Sequence, residues 1–429
     1  MKTLGIITEY NPFHHGHKIH LNKSLIKSNA DRTICIMSGA FLQRGTPAIV
    51  NQWVRTKMAL QAGVDLVIQL PIAYTTRSAQ YFAHGAVKLL TATNIVDYLC
   101  FGSEIGEITP LKFIGRLLAD QPKQLDQLIK QELATGVSYP LARSKALIKL
   151  LQSNFNSIDI SVAKLKSILT NANNILGLEY IRALNNLNSS IIPLTIKREG
   201  SNYHSSKLEK IASASAIRQK IKENHNSQQS LLDTKLKKTM PDSTFKLLET
   251  AFKEGVGPIF YENFTLQILT LLRRTTHHHL RNYEGVTGGL ENRFKDAATK
   301  ATSLSELIEL IKTKRFTQTR IQRILTQLLL GLNQKQLNKF ELAGGPQYFR
   351  ILGFNQQGRK LLKLLKERAE LPIITKLSNH FRSNQQPKDI RQKMLLSDIK
   401  ANNIYSLTYP KLTARQGGVD FYRQPVILT

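Results

Sequence analysis

The sequence predicts an α/β protein: a Rossmann-like domain on a parallel sheet, followed by a mainly helical, basic C-terminal domain. Three observations carry this expectation. Short apolar runs recur along the first quarter of the chain, helical patterns separate them, and beyond Pro241 helical spacing dominates with Lys and Arg interspersed. The runs Leu4–Ile7, Thr33–Met37, Leu66–Leu70 and Val96–Phe101 read as strands, and His15–Leu25, Trp53–Ala62 and Ala79–Leu90 as the helices between them. Strands that are apolar throughout need cover on both faces, which is the βαβ arrangement.

Further helical patterns lie at Pro110–Leu118, Leu125–Leu133, Ser144–Leu151 and Ser161–Leu184. A fifth strand, Ile191–Ile196, precedes a polar loop around Gly200-Ser201-Asn202. Ser213-Ala214-Ser215 has the character of an N-cap for a helix carrying Ile217 and Arg218. The polar stretch Glu223–Pro241 predicts a boundary, dividing the chain into a catalytic domain (1–225), a linker (226–241) and a mainly α-helical domain (242–429). In the last, Leu266–Arg274, Ser305–Lys312, Thr319–Leu332 and Arg359–Arg368 read as helices.

Composition narrows the function. The 429 residues are 41% hydrophobic, enough for a full core, which excludes a disordered chain. Lys plus Arg number 60 against 30 acidic residues, a net charge of +30 that points to a polyanionic partner. No apolar run approaches the roughly 18–20 residues that span a bilayer, so no membrane partner is expected. The N-terminus runs straight into a strand-like segment, which argues against secretion and for a cytoplasmic protein. Cys35 and Cys100 sit in apolar runs and read as small core residues.

The most informative segment is Thr8-Glu9-Tyr10-Asn11-Pro12-Phe13-His14-His15-Gly16-His17, where the first strand gives way to the first helix. Ligands of open α/β sheets bind at such junctions, and a helix N-terminus offers free N–H groups to an anion. His14 and His17 are three apart, so both imidazoles leave one face of the first turn, while Gly16 lets backbone approach a phosphate. The pair suits stabilisation of charge on a triphosphate; the plain alternative is that both merely cap the helix. The spacing is not that of a metal site, and no metal-ligating residue set is expected.

With Ser213-Ala214-Ser215-Ala216-Ile217-Arg218, this segment resembles the two signatures of the HIGH-type nucleotidyltransferases. The likeness narrows further to the bacterial tRNA(Met) cytidine acetate ligase family. It is carried by Gly5–His20, Ser38–Gly45, Ala62–Pro71, Phe101–Glu104, Asn173–Gly177 and Ile196–Arg198, then by Glu291–Arg293, Thr313–Thr317 and Arg350–Phe354. The resemblance implies that acetate and ATP give acetyl-adenylate, which acetylates the N4 amine of the wobble cytidine of elongator tRNA(Met). It implies His14 and His17 as catalytic residues. It places ATP contacts at Ile7, Thr8, Glu9, Tyr10, Asn11, Pro12, Phe13, His14, His15, Gly16, His17, Lys18, Ile19 and His20, at Gly102, Asn173 and Arg198, and at Ser213 and Ser215 of the second signature. Gln69 stands where the family often shows Glu, and Ala172 where Pro is usual.

Acyl-phosphate chemistry of this kind needs positioning and charge stabilisation, with no protein nucleophile. The triphosphate is expected to bring Mg²⁺, with Glu9 or Glu104 as helpers unless they are plain capping carboxylates. In the basic half, Arg273, Arg274, Lys314, Arg315, Arg320 and Arg350 are expected to bind tRNA, with Phe316, Tyr348 and Phe349 as stacking partners unless they belong to the core. His277-His278-His279 is expected on a surface turn. No stable protein partner is implied. A nucleotidyltransferase acting on a small phosphorylated metabolite, or a non-catalytic RNA-binding protein, remain the competing readings.

Overall fold

A computed structural model describes residues 1–154, 161–198, 212–380, 382 and 385–429. The polar loop expected around Gly200 lies outside the described residues. The chain opens with β1 (Thr3–Thr8), α1 (His15–Ser28), β2 (Arg32–Ser38), α2 (Gln52–Gln61), β3 (Leu66–Leu70), the short α3 (Ile72–Thr75), α4 (Ala79–Ala92) and β4 (Tyr98–Ser103). A helical excursion follows: α5 (Ile108–Asp120), α6 (Lys123–Ala134), α7 (Tyr139–Asn154), α8 (Val162–Thr170) and α9 (Ala172–Asn186). β5 (Ile192–Lys197) then returns to the sheet, and α10 (Ala214–Asn226) lies beyond the loop.

The helix expected over Ser161–Leu184 is two helices, broken at Asn171, whose backbone is extended at φ −80° and ψ 134°. The Asn-rich stretch supplies the reason, because Asn competes for backbone groups and favours helix ends over helix interiors. The break turns the N-terminus of α9 back towards the end of β4. Glu104 accepts there from the backbone N–H of Asn173 at 3.2 Å and of Asn174 at 2.8 Å.

The remainder is mainly helical: α11 (Thr234–Lys237), α12 (Asp242–Lys253), α13 (Thr265–Arg274), α14 (His277–Leu280), α15 (Leu290–Lys300), α16 (Leu304–Ile311), α17 (Gln318–Leu330) and α18 (Gln334–Leu342). Then come β6 (Phe349–Phe354), α19 (Gln356–Arg368), β7 (Ile373–Ile374), α20 (Ile390–Ser406) and β8 (Val426–Ile427). The strands make one sheet in the order β5-β4-β1-β2-β3-β6-β7, with β8 also on β6. All pairings are parallel except β3 with β6.

The C-terminal half is therefore not spatially separate. Phe-Arg-Ile-Leu-Gly-Phe alternates two buried faces as a strand and extends the first domain's sheet. Nor is 226–241 an open linker, since Leu236 and Met240 are buried with Leu4, Ile6 and Trp53 in the core on the α1–α2 face. A second core fills the other face of the sheet, and a third unites α13, α15, α16 and α17 with Phe41 from the loop after β2.

Close approach fixes how α19 sits on β3. A Cβ at Gly358 would lie 2.0 Å from the carbonyl oxygen of Asp65. Gly358→Ala should therefore cost about 1–3 kcal/mol of stability, the usual scale of core overpacking. Thermal unfolding checks this, and an unchanged midpoint would mean that α19 is free to shift on the sheet.

Candidate active site

The segment between β1 and α1 is held from three sides. Arg55 of α2 is fully buried and donates to the carbonyls of Glu9 (2.6 Å), Val50 (3.2 Å) and Gly39. Asn11 accepts at Oδ1 from the Ile49 amide at 2.8 Å, and its carbonyl accepts from Arg218 at 2.7 Å. Glu9 accepts at Oε1 from the Gln43 amide at 2.7 Å. Tyr10 is buried in a left-handed conformation (φ 45°), and its ring meets Phe13 at 4.8 Å and His17 at 5.0 Å, both edge-on.

This framework presents two imidazoles together. His14 caps α1, and its ring stacks on that of His17 with centroids 3.8 Å apart. The His14 amide donates to His17 Nδ1 at 3.4 Å, a long contact that assigns the ring proton of neutral His17 to Nε2. His14 Nδ1 and Asn11 Nδ2 are buried without a protein partner, so the site offers unsatisfied polar groups of its own. Burial, reinforced by the nearby Arg198 and Arg218, pulls His14 down to about 3. Burial and Arg198 take His20 to about 4, and burial with His14 and Arg198 holds His17 well below the ordinary histidine range. All three are neutral at physiological pH.

The neighbouring strand end completes the site. Gly102 on β4 leaves room where a Cβ would sit 3.2 Å from Arg198 Cγ and 3.6 Å from His20 Cδ2. The Arg198 amide bonds to the Ser103 carbonyl at 2.9 Å, which brings this exposed cation to the same edge as α1. Ser213 Oγ caps α10 through the Ala216 amide at 3.1 Å, and Ser215 Oγ accepts from Arg218 at 3.2 Å. Asn173 reaches the site's margin through Glu104, to whose Oε1 its Nδ2 donates at 2.7 Å. Thr8 turns to Cys35 Sγ at 3.1 Å, Pro12 and Phe13 are buried, and Lys18 is exposed. Such a junction can bind an anionic ligand through neutral N–H donors backed by two guanidiniums.

The carboxylates near the junction are engaged by protein groups. Glu9 is committed to Gln43 and Glu104 to the start of α9, and among the described residues no three His, Cys, Asp or Glu side chains cluster as ligands.

Comparison with known proteins identifies the family. A family profile described as HIGH Nucleotidyl Transferase matches residues 1–420. The tRNA(Met) cytidine acetate ligase of Halothermothrix orenii is 45% identical over 423 residues, covering 98% of each chain. That of Acetivibrio thermocellus is 43% identical over 429 residues, covering 100% of each. The chain belongs to the tRNA(Met) cytidine acetate ligase family. Its structure also matches Thermotoga maritima TmcAL bound with alpha-thio ATP (TM-score 0.90, 35% identity) and TmcAL in an apo form (0.92, 34%), each over 100% of both chains.

The cations expected to contact RNA in this family member divide into three groups. Arg350 is buried and pairs with Asp420 at 2.5 Å, so it cannot reach a ligand on the surface; a cation two residues from Tyr348 in a strand of the central sheet faces the core. Tyr348, Phe349 and Phe316 are likewise core residues. Arg273 spends its guanidinium on the carbonyls of Ala298 (2.8 Å) and Ala301 (3.3 Å), and Arg320 donates to Gly285 (2.6 Å) and Thr287 (2.9 Å). Arg274, Lys314 and Arg315 are exposed, and so is His277–His279 on α14.

The fold brings Arg323, one of the basic residues that interrupt the helical pattern of the C-terminal half, beside Arg44 of the Gln43-Arg44 loop after the second strand. Burial together with Arg320 and Arg44 brings Arg323 down to about 10, and burial with Arg315 lowers Arg320. Arg315 and Arg320 lie 5.7 and 5.2 Å from the Phe316 ring centroid and Gly45, next to Arg44, packs on the Arg323 backbone, so the four arginines make one basic patch. Gly45 seats the loop after β2 on α17 beneath it, with its carbonyl accepting from Thr326 Oγ1 at 2.5 Å.

The depressed histidines make a stability prediction. An unfolded His takes up a proton near pH 6.5, while folded His14 holds out to about 3. This contribution is complete above about pH 6.5 and lost as pH falls, reaching on the order of 2 kcal/mol for His14 at about pH 5. Urea unfolding of wild type and His14→Asn at about pH 7 and pH 5 checks it. The wild type should lose more stability on acidification, and parallel losses would show that His14 does not titrate as described.

Proposed function

We propose that the protein acetylates the N4 amine of the wobble cytidine of elongator tRNA(Met), activating acetate with ATP. An acetate oxygen attacks the α-phosphorus of ATP, the α–β phosphoanhydride bond breaks, and pyrophosphate leaves. The cytidine N4 then attacks the acetyl carbonyl, AMP leaves, and the amine loses a proton. The observation that carries this reading is the stacked, neutral His14–His17 pair at the β1–α1 junction, flanked by Arg198 and Arg218. His17 is placed to donate through Nε2–H to the reacting phosphate, with the two arginines meeting the charge that grows on departing pyrophosphate.

The proposed ATP contacts are the segment from Ile7 to His20 with Gly102, Asn173, Arg198, Ser213 and Ser215. Mg²⁺ would come with the triphosphate, bound chiefly by its phosphates. Burial pushes the thiols of Cys35 and Cys100 up to about 12 and about 11, so neither supplies a thiolate for a covalent route. Exposed Arg274, Lys314 and Arg315 are proposed to take the RNA phosphates, with Arg44, Arg320 and Arg323 of the basic patch adding positive potential behind them. Transfer to a small phosphorylated metabolite would leave that patch, and a net charge of +30, without a partner. A tRNA substrate places the reaction in the cytoplasm.

His17→Ala should slow acetate-dependent exchange of pyrophosphate into ATP by at least about 10²-fold with folding retained, the scale of one lost charge-stabilising donor. An unchanged rate would remove the histidine from the chemistry. Labelled acetate plus ATP should place label in N4-acetylcytidine of unmodified elongator tRNA(Met). Label entering from acetyl-CoA and not from acetate would overturn the proposal.

The basic surface is tested separately. Lys314→Glu with Arg315→Glu should weaken tRNA binding and flatten its dependence on salt by roughly one unit of slope per lost phosphate contact. Binding measured across a salt series decides whether this turn carries the RNA.

A further inference from the structure

We propose that the cavity between α2 and α20 holds an unpaired nucleotide of the RNA, next to the one that reacts; this rests on the RNA substrate proposed above. The cavity encloses about 270 Å³ and is lined by Gln52, Trp53, Asn402, Tyr409, Asp420 and Arg423, among others. Three features select the ligand class. Gln52 lines the cavity, is 1% exposed, and both atoms of its amide lack a partner, so turning that amide into the cavity would offer a donor and an acceptor to a ligand there. A buried amide in that state costs free energy unless something fills its bonds, and a base edge carries both complementary groups.

Trp53 supplies the plane. Buried Arg350 lies 5.8 Å from its ring centroid and is tied to Asp420, which also accepts from Asn402 at 2.7 Å. That network holds the inner wall rigid. Arg423 is exposed and also 5.8 Å from the ring centroid, so it stands at the mouth, where a guanidinium can stack on a base or meet its phosphate. Tyr409 is fixed by Asn51, whose Nδ2 donates to its hydroxyl at 3.2 Å. An aromatic plane, a donor–acceptor amide and a cation at the rim together are the apparatus that binds a splayed-out base.

The cavity is linked to the chemistry through α2 itself. Gln52 and Trp53 occupy its first turn, and one turn on Arg55 grips the carbonyl of Glu9 beside the histidines. A nucleotide held here would sit in fixed register with the adenylate, and the reacting cytosine would remain free to reach it.

Trp53 is the chain's single tryptophan, so its emission reports on this cavity alone. Full-length protein titrated with unmodified elongator tRNA(Met) should show a saturable change in that emission. Gln52→Leu removes only unpartnered polar atoms and should fold, yet bind the tRNA about tenfold more weakly, the scale of one base contact. Unchanged emission while tRNA binds by filter retention, or wild-type affinity in Gln52→Leu, would overturn the proposal. Under the proposed mechanism, pyrophosphate exchange in the wild type should proceed without RNA. If it is present while the emission stays flat, the cavity proposal alone fails; if it is absent, the adenylate reading fails first.

Discussion

One buried guanidinium organises the catalytic end of the sheet. Arg55 is completely shielded from solvent, and burial brings it down only to about 10, so it stays charged. Its charge is met by carbonyl groups of Glu9, Gly39 and Val50, which belong to the loop after β1 and the two ends of the loop after β2. A buried charge with fewer partners would be strongly unfavourable, so these carbonyls have little freedom to move. The histidine segment thus takes its shape from a helix on the neighbouring βα unit. The positions of Tyr10, Asn11 and the His14–His17 stack all follow from that anchoring.

The same loop joins the two halves of the molecule. Gln43 bonds through its amide N–H to Glu9 and through Nε2 to the Arg77 carbonyl at 3.2 Å. Arg77 is buried and bridges Glu284 at 2.6 Å and Glu341 at 2.7 Å, both in the helical half. With Gly45 on α17 and β6 in the central sheet, few degrees of freedom remain between the nucleotide end and the basic surface. A reactive acyl-adenylate is best passed to an acceptor already held in place, because a diffusing one would be lost to water. The rigid join is what that requirement demands of the fold.

The parallel core strands and the helices between them were legible because each strand is a short apolar run bounded by turns. So was the β1–α1 junction, where two histidines three apart on a first turn have few structural explanations. The sequence did not reveal the break at Asn171, because apolar periodicity runs through it and only the Glu104 carboxylate, far away in the chain, favours a new helix start. Nor did it reveal β6, since six residues between long helices give too short a period to outweigh the helical surroundings. Arg350 shows the cost of that omission. On a helix it would read as a solvated cation, but on a central strand its side chain must find Asp420 in the core. Arg55 left one usable trace, a basic residue within the apolar face between Trp53 and Met58.

The charge state of the histidine pair completes the physical account. Two imidazolium ions with ring centres 3.8 Å apart would repel by roughly 4 kcal/mol even at an effective dielectric near 20, so the pair carries at most one proton. In the free protein it carries none, because burial and two flanking guanidiniums all disfavour one. A triphosphate changes the sign of that environment. Its charges oppose those of Arg198 and Arg218, and in the proposed reaction His17 would donate more strongly as negative charge builds on the reacting phosphate. The neutral resting pair is thus suited to the reaction: it adds no permanent charge that would hold substrate and product equally. Under the proposed mechanism its interaction would grow towards the transition state, alongside the two arginines that meet the pyrophosphate charge.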